Sequence, residues 1–351
     1  MIATRLGRRL LVARAAGEVV VDGRVQRSRA SASWRRRRSM AWEPVRDVRI
    51  LVTGITGFVG AALAPRLARE GHELVGMSRD PARVTLPGVE AVAGDATSGG
   101  GLDEALAGVE VAYYLIHSME RSVNGSFADT ELRGARHFAA AAQHAGVQRI
   151  VYLGGLVPLD AAVSPHLASR LAVEETLLHA VPGSVALRAS IVIGARSRSF
   201  RFLVRLVERL PVMALPPWAR FRTRPIDGRD MVELLAAAAI APGVAGRSLD
   251  AVGPDILSYG GMIDRIGHHM LVGRPSLRLP VTLPTVSGRV AAVIAGEDPG
   301  LIEPLMGSLG SDLLPRDEQA APLLGVRTRS FDRAVERALR EWEAEEELAA
   351  R

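Results

Sequence analysis

The sequence predicts an α/β protein, a doubly wound parallel sheet with a smaller C-terminal α/β cap. Strand-like and helix-like segments alternate from Arg49 onward, which is the pattern of parallel strands joined by crossover helices. Apolar residues make up 48% of the 351 residues and aromatic residues only 4%, as is typical of an Ala-, Val- and Leu-rich α/β core. After Ser190 the alternation gives way to an amphipathic helix and a proline-rich stretch, and this change predicts the cap.

The first predicted strand ends in a glycine turn. The run ILVT stops at Gly54, glycines recur at Gly57 and Gly60, and the helix-compatible run AALAPRLARE follows. A strand, a tight turn and a helix N-terminus in this order hold a dinucleotide pyrophosphate through backbone N–H groups and the positive helix end. We expect Gly54 to make the turn, Gly57 to admit the phosphates and Gly60 to let the helix pack on the strand. Thr56, Phe58 and Val59 complete this predicted cofactor-binding loop.

The remaining elements follow in alternation. Strands are predicted at Arg49–Thr53, Glu73–Ser78, Val89–Ala93, Glu110–Ile116, Gln148–Gly154 and Ser184–Ser190. Helices are predicted at Phe58–Arg69, Leu102–Ala107, Asp129–Ala145 and Pro165–Leu178. In the cap we expect helices at Ser199–Leu210, Arg229–Ala241, Tyr259–Met270 and Phe331 to about Leu348, with a short strand near Ser248–Val252. Right-handed crossovers then place the glycine turn at the switch point of the sheet.

The predicted organisation has four parts. They are a disordered basic leader at residues 1–45, a Rossmann-type domain at 46–195, a cap interleaved with that core at 196–340, and a charged tail at 341–351. Residues 1–39 hold eleven arginines against Glu18 and Asp22, a net charge of +9, so the rest of the chain is about −3. A nucleic-acid arm, an organelle transit peptide, or a disordered extension ahead of a start at Met40 are all compatible with this composition.

Composition also narrows the compartment and the partners. The chain has no cysteine, which favours a reducing cytoplasm, and no uninterrupted apolar stretch of about 18 residues, so no transmembrane span is predicted. All 44 basic residues are arginine. We expect a small-molecule substrate or ligand of unknown identity, no nucleic acid bound by the folded body, room for a protein partner, and no metal site.

The end of the second strand indicates which dinucleotide is preferred. An NAD-type site has a carboxylate about 20 residues past the glycine loop, but Ser78 stands at that place and Arg79 follows it. A hydroxyl and a guanidinium suit a 2′-phosphate through charge-assisted hydrogen bonds, so NADP(H) is favoured over NAD(H). Asp80 lies one position late and is interpreted as a turn residue before Pro81. The alternative for Arg79 is an ordinary solvated arginine.

These motifs resemble a family. TGITGFVG, GMSRDP, AGDAT (Ala93–Thr97) and YLIHSM (Tyr114–Met119) resemble the atypical short-chain dehydrogenase/reductases. RIVYLGGL, SPHLASRLAVEETL, LRASIVIG and FLVRLVERLPVM are similar to bacterial NAD(P)H-binding proteins related to the NADPH-carrying accessory subunit of respiratory complex I. The resemblance runs from about Arg49 to Leu339. It implies that Asp95 and Ala96 contact the adenine end, that Leu115, Ile116 and His117 line the adenosine and nicotinamide ribose, and that Ala189, Ser190 and Ile191 border the nicotinamide.

The expected catalytic residues of this superfamily are replaced. Well-known members use Ser, Tyr and a Lys four residues after the Tyr, but the matching positions here are Gly154–Gly155, His166 and Arg170. On a helix His166 and Arg170 share one face. They are the candidate catalytic residues; alternatively, Arg170 only clamps the cofactor and His166 only lines the pocket. We expect Glu174 to pair with Arg170.

Two functions therefore remain open. One is an NADPH-dependent oxidoreductase with a non-standard proton donor, and the other is a non-catalytic NADPH-binding redox sensor or assembly or regulatory protein. Four arginines at the start of the cap, Arg196, Arg198, Arg201 and Arg205, either receive an acidic substrate or the 2′-phosphate, or form a solvated face.

Overall fold

A computed structural model describes residues 18–21, 24–27, 47–116, 127–278 and 308–346. The chain divides into two units, Met1–Arg46 and Asp47–Arg351. In the first, strands β1 (Glu18–Val21) and β2 (Arg24–Arg27) pair antiparallel, with Glu18 opposite Arg27. The leader predicted as disordered therefore contains a strand pair. The β-branched residues Val19, Val20, Val21 and Val25 favour extended backbone, a signal that the arginine content obscured.

The second unit is built on one parallel sheet. The described strands of this unit, which include those of the main sheet and of smaller pairs, are β3 (Arg49–Thr53), β4 (Glu73–Ser78), β5 (Val89–Ala93), β6 (Val111–Tyr114), β7 (Arg149–Gly155), β8 (Val185–Ala189), β9 (Val192–Ile193), β10 (Met213–Leu215), β11 (Arg222–Thr223), β12 (Ile226–Asp227), β13 (Arg247–Asp250), β14 (Leu257–Ser258) and β15 (Ser276–Arg278). The main sheet has the order β13-β8-β7-β6-β3-β4-β5, and all its neighbours are parallel. The predicted doubly wound sheet is confirmed. The strand order reverses between β3 and β6, because β4 and β5 are added on one side of β3 and the later strands on the other.

Helices cover both faces of this sheet. They are α1 (Phe58–Ala68), α2 (Leu102–Leu106), α3 (Phe127–His144), α4 (Pro165–Ala180), α5 (Arg198–Arg209), α6 (Gly228–Ile240), α7 (Tyr259–His269), α8 (Ala320–Leu323) and α9 (Phe331–Glu343). Strand β3 shows the layering, because Ile50 packs with α1 and α6 whereas Leu51 packs with α2, α3 and α4. No helix within the described ranges combines the length and the apolar character needed to cross a membrane.

The cap has its own apolar core, formed by α5, α7 and α9 around Trp218 and Trp342. It begins directly after β8, where β9 pairs parallel with β12, so it stands at the carboxyl end of that strand. The predicted tail from residue 341 starts inside α9, because Trp342 is only 1% exposed. Arg201 and Arg205 stack on its ring, with guanidinium carbons 4.4 and 4.9 Å from the centroid.

Two core positions depend on one aromatic ring. Phe58, the first residue of α1, points at Gly194 after β9 and at Gly228 at the start of α6. A Cβ atom at residue 194 would lie 2.5 Å from the Phe58 Cζ, and one at residue 228 would lie 3.0 Å from it. Glycine at both positions leaves the space that the ring occupies.

A buried ion pair ties α4 to the sheet. Glu174 accepts hydrogen bonds from Arg188 Nε at 2.9 Å and Nη2 at 2.6 Å, and both side chains are less than 10% exposed. Ser248 also donates to Glu174. The expected pairing of Glu174 with Arg170 is therefore wrong: Glu174 is committed to Arg188 on β8, because that strand lies beneath the same face of α4.

We predict that Glu174→Gln lowers the free energy of unfolding by about 3–5 kcal/mol, because it leaves the Arg188 guanidinium buried without its counter-charge. Glu345→Gln is the matched control, since its pair with Arg196 is 66% and 52% exposed and contributes about 0–1 kcal/mol. Urea denaturation of both variants measures the difference. Equal losses in the two variants would contradict the structural role of the buried pair.

Candidate functional site

The site begins at the glycine turn between β3 and α1. Gly54 has φ +64°, and a Cβ there would lie 2.8 Å from the Leu115 carbonyl oxygen. A Cβ on Gly60 would overlap the Gly54 carbonyl oxygen and lie 2.8 Å from the Ile55 Cα. The Gly57 N–H donates to the Gly54 carbonyl at 2.9 Å, which closes the turn. The roles predicted for Gly54 and Gly60 thus correspond to steric contacts with backbone atoms.

A buried hydroxyl holds the two strands on either side of the switch point. Thr53 Oγ1 donates to the Tyr113 carbonyl at 2.8 Å and accepts the Leu115 N–H at 3.1 Å. Beyond these bonds β3 and β6 separate, since their connections leave toward opposite faces of the sheet. Leu115 and Ile116 therefore follow directly at the cleft where a ligand of this fold binds.

A cavity of about 1160 Å³ opens at this cleft and extends to the cap. Nearly all residues predicted for cofactor binding or catalysis line it: Gly54, Thr56, Gly57, Phe58, Val59, Gly60, Ser78, Arg79, Asp95, Ala96, Leu115, Ile116, Gly154, His166, Arg170, Ala189, Ser190 and Ile191. His117 lies outside the described residues. The structure therefore brings the described members of the predicted set to one cavity.

The end of β4 forms a structured turn in this cavity. Ser78 Oγ accepts the Asp80 N–H at 3.3 Å, and Asp80 Oδ1 accepts the Ala82 N–H at 3.1 Å. Asp80 thus has the turn role that the sequence predicted. The following 3₁₀ turn, Pro81–Arg83, brings Arg83 to the same cavity as Arg79. Sequence analysis did not single out Arg83, although its spacing of four residues from Arg79 was a usable signal.

The guanidinium of Arg170 is buried and bound by acceptors of the protein. It is 5% exposed, it donates to the Leu153 carbonyl, and its Nη1 lies 3.6 Å from Glu131 Oε1. Glu131, on α3, is 3% exposed and also accepts a 2.6 Å hydrogen bond from Ser169. The arginine carbon Cζ lies 5.4 Å from the centroid of the Tyr152 ring. Sequence analysis missed Glu131, because α3 and α4 meet only in the folded chain.

His166 is neutral at physiological pH. Burial, and secondly the neighbouring Arg170 guanidinium, lower the pKa of His166 from 6.5 to about 4. Its ring lies 5.9 Å from that of Phe127, and within the described structure its buried Nδ1 has no hydrogen-bond partner. A neutral imidazole can donate a hydrogen bond to a ligand or accept one from it, but it is a weaker acid than an imidazolium.

The cap supplies the far end of the cavity. Its lining residues there are Phe202, Leu203, Tyr259, Leu309 and Leu313, together with Arg196 and Arg198 at the start of α5. Arg201 and Arg205 do not belong to this lining; they pair with Glu346 and stack on Trp342. Only half of the predicted arginine cluster thus reaches the cavity, because α5 turns its next residues toward α9.

Comparisons with known proteins agree with this geometry. Residues 54–176 match a family model described as NAD(P)H-binding. The chain is similar to a ceramide reductase of Caulobacter vibrioides, with 26% identity over 61% of this chain and 77% of the relative. It is also similar to the mitochondrial NADH dehydrogenase [ubiquinone] 1 alpha subcomplex subunit 9 of Arabidopsis thaliana, with 25% identity over 59% of this chain and 54% of that protein.

A solved structure supports the fold. A short-chain dehydrogenase/reductase superfamily protein from Agrobacterium tumefaciens with bound NAD superposes with a TM-score of 0.61 at 20% identity, over 84% of this chain and 96% of that one. The resemblance predicted from the motifs is confirmed.

We predict that His166 makes stability depend on pH between about 6.5 and 4. In this interval the unfolded chain binds a proton at His166 and the folded chain does not, so the free energy of unfolding falls as the pH falls. His166→Gln removes this contribution. His179→Gln, at the exposed end of the same helix, is the matched variant. Urea unfolding at pH 7, 5.5 and 4.5 tests this, and an unchanged slope in His166→Gln would refute it.

Proposed function

We propose that this chain, a relative of the short-chain dehydrogenase/reductases with an NAD(P)H-binding domain at residues 54–176, is an NADP(H)-dependent oxidoreductase acting on an apolar carbonyl compound. The observation that carries the proposal is the single cavity of about 1160 Å³ that joins the glycine turn to the apolar residues of the cap. Its lining runs from the glycine turn to the cap residues Phe202 and Leu203, so a second molecule can lie beside a dinucleotide. The reductase name of the Caulobacter relative supports the same reaction class.

The residues at the turn fit a dinucleotide. Gly57 puts no side chain at the start of α1, and no side chain caps that helix. The first N–H groups of that helix therefore remain available to pyrophosphate oxygens. Asp95 and Ala96 border the same cavity next to Thr97, whose N–H binds the Asp95 carboxylate at 2.9 Å. We assign these two residues to the adenine end.

The preference for NADP(H) rests on charge. Arg79 and Arg83 line the cavity at the end of β4, where an NAD-type site carries a carboxylate. Two guanidinium groups and the Ser78 hydroxyl suit a 2′-phosphate, and the neighbouring Asp80 carboxylate is already used in the turn, where its Oδ1 accepts the Ala82 N–H.

Bound nicotinamide would supply the hydride. Arg170, immobilised by Glu131 and the Leu153 carbonyl, is assigned to clamping a ribose hydroxyl near Gly154 and Gly155. His166 is assigned to hydrogen bonding the substrate oxygen through its unpartnered Nδ1. Because its pKa is about 4, it does so as a neutral imidazole: its N–H donates a hydrogen bond to the oxygen, and water supplies the proton that the oxygen takes up.

The same histidine favours a second candidate function. A neutral imidazole beside a fixed arginine is poorly suited to proton transfer, and a non-catalytic NADPH-binding sensor or assembly protein needs none. The Arabidopsis relative is named as a subunit of a larger complex, which supports a protein partner for this candidate. The cytoplasmic location expected from the lack of cysteine stays a prediction.

To test the cofactor preference, we predict that Arg79→Gln weakens NADPH binding about 10- to 100-fold. This is the effect expected from the loss of one or two charge-assisted hydrogen bonds. NADH, which lacks the 2′-phosphate, should bind the variant as it binds the wild type. The control is Arg69→Gln, an exposed arginine outside the cavity. Fluorescence titration of the wild type and both variants with NADPH and with NADH measures the six affinities. A parallel loss for NADH and NADPH would contradict the assignment.

For turnover we predict NADPH oxidation in the presence of long-chain or polycyclic ketones. His166→Gln should lower kcat by about 10²-fold, the lower range for acid–base groups. His179→Gln should leave kcat unchanged. Tight NADPH binding with no oxidation across the ketone panel would reject the oxidoreductase and leave the sensor or assembly role standing.

A further inference from the structure

The far end of the cavity has aliphatic and aromatic walls. Its lining there includes Leu156, Leu167, Phe202, Leu203, Tyr259 and Leu313, and each of these is at most 7% exposed. They come from separate parts of the chain, namely the segment after β7 and the helices α4, α5 and α7, with Leu313 from the segment before α8. An apolar wall assembled from so many elements favours the hydrocarbon part of a ligand over a second polar molecule.

Two arginines stand at this end, and they differ in their partners. Arg196 Nη2 pairs with Glu345 at 2.9 Å, and its Nε contacts the same carboxylate at 3.4 Å. Arg198, the first residue of α5, makes no hydrogen bond or ion pair with any residue in the described part of the chain. The cavity therefore combines apolar walls with one solvent-exposed guanidinium, on Arg198, that no described protein group pairs with.

Arg198 lies far from the position assigned to the 2′-phosphate. Arg79 follows β4 and Arg198 follows β8 and β9, and β4 and β8 are four strand positions apart in the sheet. At about 4.8 Å per strand, this separation is on the order of 19 Å. The dinucleotide phosphate that Arg79 and Arg83 would bind is thus not the natural partner of Arg198.

We propose that this end of the cavity binds a single-chain anionic amphiphile, with its hydrocarbon chain against the apolar walls and its carboxylate, sulfate or phosphate head on Arg198. The inference rests on the proposed function, because it names the class of molecule that the same cavity takes beside the dinucleotide. The unpartnered Nδ1 of His166 is then the polar contact for an oxygen on the chain itself. A guanidinium binds each of these three head groups through paired N–H donors.

The test compares three probes that share one hydrocarbon tail. Dodecanoate, dodecanol and dodecyltrimethylammonium are titrated below their critical micelle concentrations into the full chain saturated with NADPH, by isothermal calorimetry. We expect dodecanoate to bind at least tenfold more tightly than dodecanol, and the cationic probe to bind most weakly. Equal affinities for the three probes, or no binding of any, would overturn the inference. So would competition between dodecanoate and NADPH, because the probe would then occupy the dinucleotide half.

A pair of variants assigns the head group to one residue. Arg198→Gln should abolish the preference for dodecanoate over dodecanol, whereas Arg196→Gln, with the same loss of charge two residues away, should retain it. Loss in both variants or in neither would overturn the role of Arg198. Thermal melts confirm that both variants fold. If the wild type fails to bind NADPH, the proposed function fails, and the same titrations without NADPH still decide the amphiphile inference.

Discussion

The structure depends on a close backbone contact at Gly54, where no side chain can be accommodated. The carbonyl of Leu115 approaches from β6, Gly60 approaches from the first turn of α1, and Thr53 ties the two strands together beside them. Because these contacts involve backbone atoms on each side, they set the distance between β3 and β6 and the angle at which α1 leaves the sheet. The cleft that forms the cavity is a direct consequence, since the strands separate immediately beyond the contact.

All Lys and Arg positions of this chain are arginine, and this determines how buried positive charges are paired in the interior. A guanidinium is charged at every physiological pH, so each buried arginine must be surrounded by acceptors. Arg188 is bound by Glu174, Arg170 by Glu131 and the Leu153 carbonyl, and Arg224 by the Gly253 carbonyl at 2.8 Å. The first pair connects α4 to β8, the second connects α4 to α3 and β7, and the third joins the segment before β12 to the segment after β13. The charge of Arg170, after burial, also helps keep His166 neutral.

The fold was predictable from the sequence because its signals are local. Strands β3, β4 and β5 have the predicted bounds, since each is an apolar or alternating run ended by glycine, serine or proline. The cavity-lining residues that stand at or directly after the end of a strand, such as Ser78, Leu115 and Ala189, were also predictable. Glu131 and the Arg188–Glu174 pair were not, because partners on different elements leave no periodic signal. The same holds for the division of the cap arginines between the cavity and Trp342, which depends on how α9 docks.

The space that the Phe58 ring occupies beside Gly194 and Gly228 limits which substitutions this protein can accept during evolution. Residues 58, 194 and 228 share one volume, although 136 and 34 positions separate them along the chain. A larger residue at 194 is compatible with the native backbone only after residue 58 has become smaller, whereas a Cβ at residue 228 would still lie 2.9 Å from the Ile193 carbonyl oxygen. Across related sequences, residues 58 and 194 should therefore covary, with a bulky residue at 58 found where 194 is glycine, while residue 228 should stay glycine whatever stands at 58.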